Sequence, residues 1–126
     1  MNKKDVENKQ LILIPKIEDY VEYVINVIIK LPRTEKFSIG TEYKNSMYKM
    51  LEDVLLLNKI SRKESYNKTL NIINKIDAQL NCQRIYLRIM KKYKWIDIKK
   101  FDIAMKKIYE IGLIIGGLTK AYAKNN

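Results

Sequence analysis

The feature that most constrains this chain is the rarity of residues that interrupt helices. Only four glycines and two prolines occur in 126 residues, and apolar side chains recur between them at intervals of three and four. That spacing places apolar residues on one face of an α-helix, whereas a β-rich fold would need many more turn residues. The pattern therefore predicts a few long helices that pack their apolar faces together.

The start and stop signals divide the chain into four helices. The first is predicted from Pro15 to about residue 31, where Pro32 blocks continuation, and the second begins near Thr34 as its N-cap. A capping box, SRKE at residues 61–64, opens the third, and Asp97 is the expected N-cap of the last. We predict an all-α fold, an antiparallel up-down-up-down four-helix bundle. It forms a single domain over residues 1–126, with an N-terminal extension to about residue 13 and a C-terminal tail from about residue 123.

Each helix has an apolar stripe that should face the core. The four expected stripes are, in chain order, Ile17, Val21, Val24, Ile25 and Ile28; Ile39, Tyr43, Met47, Met50, Val54 and Leu57; Leu70, Ile73, Ile76, Leu80, Leu87 and Met90; and Phe101, Ala104, Met105, Ile108, Ile111, Leu113 or Ile115, and Leu118.

Glycine inside a helix costs about 1 kcal/mol relative to alanine, so the four glycines need a reason. Gly40 lies in the predicted second helix, and Gly112, Gly116 and Gly117 lie in the last. We interpret them as places where another backbone approaches closely, or, in the last helix, where the helix is interrupted.

The usual catalytic and metal-binding residues are missing. The sequence has no histidine, and histidine is the commonest general base at neutral pH and the commonest metal ligand. The only cysteine, Cys82, can form neither an internal disulfide nor a zinc site, and we expect it to be a small packed side chain. The longest apolar run is far below the roughly 20 residues that span a bilayer. We predict a soluble cytoplasmic protein, not an enzyme, with no catalytic residue, cofactor, metal or membrane contact.

Positive charge is concentrated in one part of the chain. The net charge is +11, and residues 59–100 carry twelve Lys or Arg against three Asp or Glu, whereas residues 1–58 are balanced. An excess confined to one third of the chain is typical of a surface that faces a polyanion. The alternative is that the lysines only keep the chain soluble, or that Lys91, Lys92 and Lys94 only suit the negative end of the third helix.

The third helix carries the predicted nucleic-acid site. Arg84, Arg88 and Lys91 step by four and three, so they share one face of a helix. Arginine binds phosphate through two donors, and cationic side chains release counterions from a nucleic acid. The residues assigned to this site are Arg84, Arg88, Lys91, Lys92, Lys94, Lys75, Arg62 and Lys63.

Aromatic residues lie between these cations. Tyr86, Tyr93 and Trp95 could stack on unpaired bases, although Tyr86 and Trp95 could equally belong to the core or to an oligomer contact. No motif that reads base edges is visible, so charge and shape should dominate binding.

Three motifs in order carry a resemblance to a known family. They are LPRTEKFSIG at residues 31–40, the pair Arg84 and Arg88, and IGLIIGG at residues 111–117. Together they resemble the four-helix-bundle family of the accessory variability determinant of diversity-generating retroelements, which includes proteins encoded in 23S ribosomal RNA intervening sequences. The likeness covers roughly residues 16–122. The family often has an aromatic residue after the Gly-Gly pair, where this chain has Leu118.

The resemblance implies a homopentameric barrel of bundles that associates with a reverse transcriptase and its template RNA or cDNA and supports mutagenic cDNA synthesis. Under it, the basic positions of the third helix map to Arg84 and Arg88. An RNA-associated protein of the intervening-sequence type, without a reverse-transcriptase partner, is the alternative. The residues assigned to helix packing or to an oligomer contact are Leu31, Pro32, Phe37, Gly40, Gly112, Gly116 and Gly117.

Overall fold

The fold is a bundle of four long helices joined by short connections. The computed structural model describes residues 3–60 and 66–124, and no strand occurs in that part of the chain. Each long helix packs against two neighbours, α1 against α3 and α5, and α4 against α3 and α5. The predicted all-α four-helix bundle is confirmed. The helices are α1 (Lys3–Ile29), the single turn α2 (Arg33–Lys36), α3 (Ile39–Lys59), α4 (Tyr66–Lys92) and α5 (Ile98–Lys124).

The core forms where the predicted stripes of α3, α4 and α5 meet. All the predicted α3 positions are buried except Ile39, which is half-buried, and all those of α4 are buried except the half-buried Leu70. In α5 the sequence left Leu113 and Ile115 as alternatives for one core position. Ile115 is buried, whereas Leu113 is 59% exposed. Cys82 was expected to be packed and is instead exposed, because it lies outside the apolar stripe of α4.

The first helix differs most from its prediction. It begins at Lys3 rather than at Pro15, so Pro15 lies inside the helix. Proline removes one helical hydrogen bond, but this one is on the exposed side, between the fully buried Leu13 and Ile17. The buried face is also rotated from the expected one: Tyr20 is fully buried, whereas Val21 and Ile25 are only half-buried.

The predicted second helix is broken into α2 and α3 at Phe37 and Ser38. The expected N-cap, Thr34, is inside α2, and Pro32 precedes the turn without capping it through a side chain. Gly40 is buried in the first turn of α3, and a Cβ there would lie 2.9 Å from Ile28 Cγ2 and 3.3 Å from the Glu35 carbonyl oxygen. A Cβ would therefore clash with a side chain of α1 and crowd the backbone of α2, and glycine avoids both contacts.

A buried polar network connects three helices inside the core. The Tyr20 hydroxyl lies 2.7 Å from that of Tyr43 and donates to Gln83 Oε1 at 2.7 Å. Gln83 Nε2 donates to Ser46 Oγ at 3.0 Å, and Ser46 donates to Gln79 Oε1 at 2.7 Å. Such a satisfied network adds directional contacts to an apolar core and favours one helix register. It spans α1, α3 and α4.

Burial changes the acidity of the two tyrosines in this network. Desolvation by burial raises the pKa of both Tyr43 and Tyr20, and the neighbouring Tyr43 adds a smaller contribution that also raises the pKa of Tyr20. Both phenols are therefore held neutral at any physiological pH.

The last connection follows its prediction. Asp97 Oδ1 accepts a hydrogen bond from the Lys100 backbone N–H at 2.8 Å, as an N-cap of α5 should. The predicted capping box at residues 61–64 lies outside the described residues. No helix in residues 3–60 and 66–124 is long and apolar enough to cross a bilayer.

Candidate nucleic-acid interface

The topology brings two connections to one end of the bundle. Neighbouring long helices run antiparallel, so the α1–α3 connection and the α4–α5 connection lie at the same end. Lys107 contacts Asp19 and Tyr23 between α5 and α1, and Tyr43 contacts Tyr86 between α3 and α4, which sets the pairing of the helices. We call residues 30–37 and 91–102 the basic end.

The basic end carries a strong excess of positive charge. It holds eight Lys or Arg against three Asp or Glu. None of the eight forms an ion pair with a residue in the described part of the chain. Unpaired, closely spaced cations attract a polyanion more strongly than paired ones do. The eight are Lys30, Arg33, Lys36, Lys91, Lys92, Lys94, Lys99 and Lys100.

On the side of the bundle formed by α1 and α5, in contrast, two lysines form ion pairs with acidic residues. Lys16 Nζ lies 3.3 Å from Glu110 Oε2, and Lys107 contacts the Asp19 carboxylate. These two cations are thus paired with acidic residues of the protein itself.

Helix electrostatics distinguishes two groups of lysines at the basic end. Lys91 and Lys92 lie in the last turn of α4, where the helix dipole favours positive charge. Lys99 and Lys100 lie in the first turn of α5, where the dipole opposes it, and that turn has no acidic residue. Fold stability therefore accounts for the first pair but not for the second.

The predicted arginine face is turned toward α5. Arg84 donates to Asn81 Oδ1, and its Nη2 atom lies 3.2 Å from the place that a Cβ on Gly112 would occupy. The missing side chain of Gly112 thus gives room to a guanidinium, not to a backbone. Lys91 Nζ lies 4.4 Å from the centre of the Phe101 ring, a cation–π contact that also points to α5. Arg88 lies between them on the same face and is exposed.

The structure does not bring all the predicted residues together. Lys92 and Lys94 are exposed at the basic end, adjacent to the arginine face. Lys75 lies one turn before Gln79, which bonds to Ser46 of α3, so it is on the α3 side of α4, away from Arg84. Arg62 and Lys63 lie outside the described residues.

Several cations of the basic end were absent from the predicted site. Lys30 is far from the third helix in sequence and joins its end only through the bundle topology, whereas Lys99 and Lys100 follow the short connection after that helix. The signal for these two lysines in the sequence was their place in the first turn of the helix that Asp97 caps, where the helix dipole opposes positive charge.

The excess of positive charge in residues 59–100 is not gathered at one place. Five of its twelve cations belong to the basic end, whereas Lys59, the last residue of α3, and Lys68, in the first turn of α4, lie at the opposite end of the bundle.

Four aromatic residues are exposed or partly exposed at the basic end, namely Phe37, Tyr93, Trp95 and Phe101. The Tyr93 and Trp95 rings are stacked, with centroids 5.1 Å apart and planes 19° apart, and Phe37 is 69% exposed. Tyr86 is half-buried and its ring contacts Tyr43 at a centroid distance of 5.7 Å. Tyr93 and Phe37 are therefore available to a ligand, whereas Tyr86 belongs to the packed interior.

The residues assigned to packing or to an oligomer contact fall into two groups. Leu31 is buried, whereas Pro32 is exposed. In α5, which is not interrupted, a Cβ on Gly117 would meet the Lys9 side chain at 3.0 Å, and one on Gly116 would have no described residue within 4 Å. Packing against the described part of the chain therefore does not explain the glycine at Gly116.

The architecture and this surface define a class of protein: a helical bundle with a cationic end that carries exposed aromatic rings. The family model described as bAvd-like matches residues 11–122, and the chain belongs to that family. Comparisons with curated proteins and with solved structures give no match.

Proposed function

We propose that this protein is a non-catalytic, nucleic-acid-binding accessory of a retroelement reverse transcriptase. In this proposal it assembles in the cytoplasm as a homo-oligomer, a pentamer, and supports mutagenic cDNA synthesis from template RNA. Membership of the bAvd-like family supports the reverse-transcriptase partner. The observation that carries nucleic-acid binding is the basic end, with eight cations that have no acidic partner in the described part of the chain.

The physical role of the bundle follows from its rigidity. Cations fixed at the ends of packed helices neutralise phosphates without a large loss of conformational freedom, because the helices are already ordered. Binding of this kind fixes the position and direction of a nucleic acid, while sequence is read elsewhere. The polymerase chemistry then belongs to the partner, and this chain holds the template or the product.

Salt dependence of binding tests the electrostatic part of the proposal. The affinity for RNA or DNA oligonucleotides should fall steeply as salt is added. Replacing Arg84 and Arg88 by Ala should weaken binding and lower the slope of log K against log salt by about one for each phosphate that is no longer neutralised. Helicity, measured by circular dichroism, should be unchanged, because neither residue is part of the buried core.

The matched control removes two cations from another side of the bundle. Lys49→Ala with Lys75→Ala changes the net charge equally, at exposed positions on α3 and on the α3 side of α4. It should change the affinity less than the arginine pair does. Equal losses from both pairs would mean that only net charge matters and that the arginine face is not a site.

A pull-down from the native cell tests the partner. Recovery of a reverse transcriptase together with its template RNA is the expected result. Recovery of ribosomal RNA without a reverse transcriptase would instead favour a protein of the intervening-sequence type.

A further inference from the structure

The tip of the basic end combines an exposed aromatic stack with flanking cations. Tyr93 is 62% exposed, and one face of its ring covers Trp95. Trp95 is partly buried and packs against the hydrophobic core. The core thus holds one ring in place, and that ring supports a second whose outer face is open to solvent.

The backbone at this tip is held by a defined helix ending. The Trp95 N–H donates to the Met90 carbonyl at 2.9 Å, and the Lys94 N–H donates to the Lys91 carbonyl at 3.0 Å. These two bonds form a Schellman motif. Its central residue takes a left-handed conformation and is usually glycine, but here it is Lys94, with φ of 63°.

A lysine in that conformation is unfavourable for the backbone. However, Lys94 places a cation between Tyr93 and Trp95 in the sequence, and these are the two residues whose rings stack. Backbone strain of this kind is typically retained where a side chain has a function. Lys92 and Lys94 are both exposed, and they directly precede and follow Tyr93 in the sequence.

We propose that the Tyr93–Trp95 pair is a stacking platform for an unpaired base of a single-stranded nucleic acid, with Lys92 and Lys94 contacting the adjacent phosphates. This inference rests on the proposed function and narrows it to one ligand class and one site. An aromatic ring stacks on any base and cannot reach one inside a duplex, while the neighbouring cations track the backbone. The platform therefore selects single strands over duplexes without reading sequence.

Trp95 provides the measurement, because it is the only tryptophan in the chain. Its fluorescence, excited at a wavelength that tyrosine does not absorb, should be quenched when a base stacks on the adjacent Tyr93 ring. The probes are oligo-uridylate, oligo-thymidylate, a DNA duplex and inorganic polyphosphate of matched charge. Either single strand should quench and bind more tightly than the duplex, and polyphosphate should bind without quenching.

Three variants identify the platform. Tyr93→Leu should lower the affinity for single strands about tenfold, as expected when one base no longer stacks on an aromatic ring, and leave polyphosphate binding unchanged. Tyr93→Phe keeps the ring and should retain the parent behaviour. Tyr48→Leu removes an exposed tyrosine from the outer face of α3 and should have no effect.

The outcomes separate this inference from the proposed function. If all probes bind equally and Tyr93→Leu changes nothing, the platform is wrong while the electrostatic proposal survives. If no probe binds even at low salt, both are wrong. If Tyr93→Leu leaves oligonucleotide affinity unchanged but abolishes recovery of the reverse transcriptase, the tip binds protein and the platform is overturned.

Discussion

At the scale of single residues, replacing Lys94 should change the stability of the fold and its affinity for nucleic acid in opposite directions. A non-glycine residue in the left-handed conformation costs roughly 1–2 kcal/mol, so Lys94→Gly should raise the free energy of unfolding by about 1 kcal/mol. It also removes one cation from the basic end, so affinity for single-stranded nucleic acid should fall. Chemical denaturation and a binding titration on the same sample measure both changes.

Lys92 is the matched control for this substitution. It is the last residue of α4, and glycine there disfavours the helix by up to about 1 kcal/mol. Lys92→Gly should therefore lower both stability and affinity. A loss of stability in Lys94→Gly would show that the lysine side chain has a structural contact that outweighs the backbone strain.

The buried tyrosine pair makes stability sensitive to alkaline pH. Unfolded tyrosine ionises near pH 10, whereas burial keeps the pKa of Tyr20 and of Tyr43 above that value in the fold. Above pH 10 the unfolded state therefore binds fewer protons than the native state. The free energy of unfolding should fall by about 1.4 kcal/mol per pH unit for each such tyrosine, and the contribution is fully present below pH 10.

Removing the phenol group of Tyr43 should make the free energy of unfolding less dependent on pH. Tyr43→Phe leaves the bond from Tyr20 to Gln83 in place, and denaturation curves between pH 9 and pH 11 should show a shallower slope than the parent. Tyr48→Phe, on the exposed face of α3, controls for the general effect of losing a tyrosine. An unchanged slope in Tyr43→Phe would mean that the unfolded state shields this phenol as well.

At the scale of elements, the register of α3 can be tested at two adjacent residues. Val54 is fully buried and Leu55 is 47% exposed. Val54→Asp buries an unpaired charge, which should cost more than about 4 kcal/mol and prevent folding. Leu55→Asp should leave the protein folded with a change below about 1 kcal/mol. Circular dichroism and thermal melting distinguish the two.

Positions with apolar side chains at helical spacing could be predicted from the sequence, and buried polar positions could not. The α3 stripe from Tyr43 to Leu57 was predicted correctly, whereas Ser46 and Asp53, which are buried in the same helix, were not predicted. The α1 face was rotated because Tyr20 was not counted as core, and Gln83 was missed in α4 for the same reason. Tyr20 and Gln83 can be buried because each satisfies a hydrogen-bonding group of the other.

At the scale of the whole molecule, Gly116 tests the predicted oligomer. No residue in the described part of the chain lies within 4 Å of a Cβ added there, so in a single chain Gly116→Ala should stabilise α5 by about 1 kcal/mol. If Gly116 is at a subunit contact, the added methyl group should instead weaken the assembly. Light scattering over a range of concentrations should show a multimer near five subunits for the parent and a smaller species for the variant.

Two results would contradict this prediction in different ways. A parent protein that is monomeric at micromolar concentration would exclude the pentamer. A variant that gains stability and keeps the parent's mass would show that α5 meets no subunit at Gly116.

Local patterns along the chain were enough to predict the four helices, because three- and four-residue spacing and scarce turn residues act over a few neighbouring positions. They also predicted the Asp97 cap, which depends on one side chain and one nearby backbone group. Which cations share a surface, in contrast, depends on how the helices pack. Lys30, Lys94 and Lys99 come from separate helices or connections, and they lie at the same end of the bundle because antiparallel packing brings alternate connections together there. The arginine stripe could be predicted because it lies within one helix. The space that Gly112 leaves for the Arg84 side chain could not be predicted, because Gly112 belongs to a different helix.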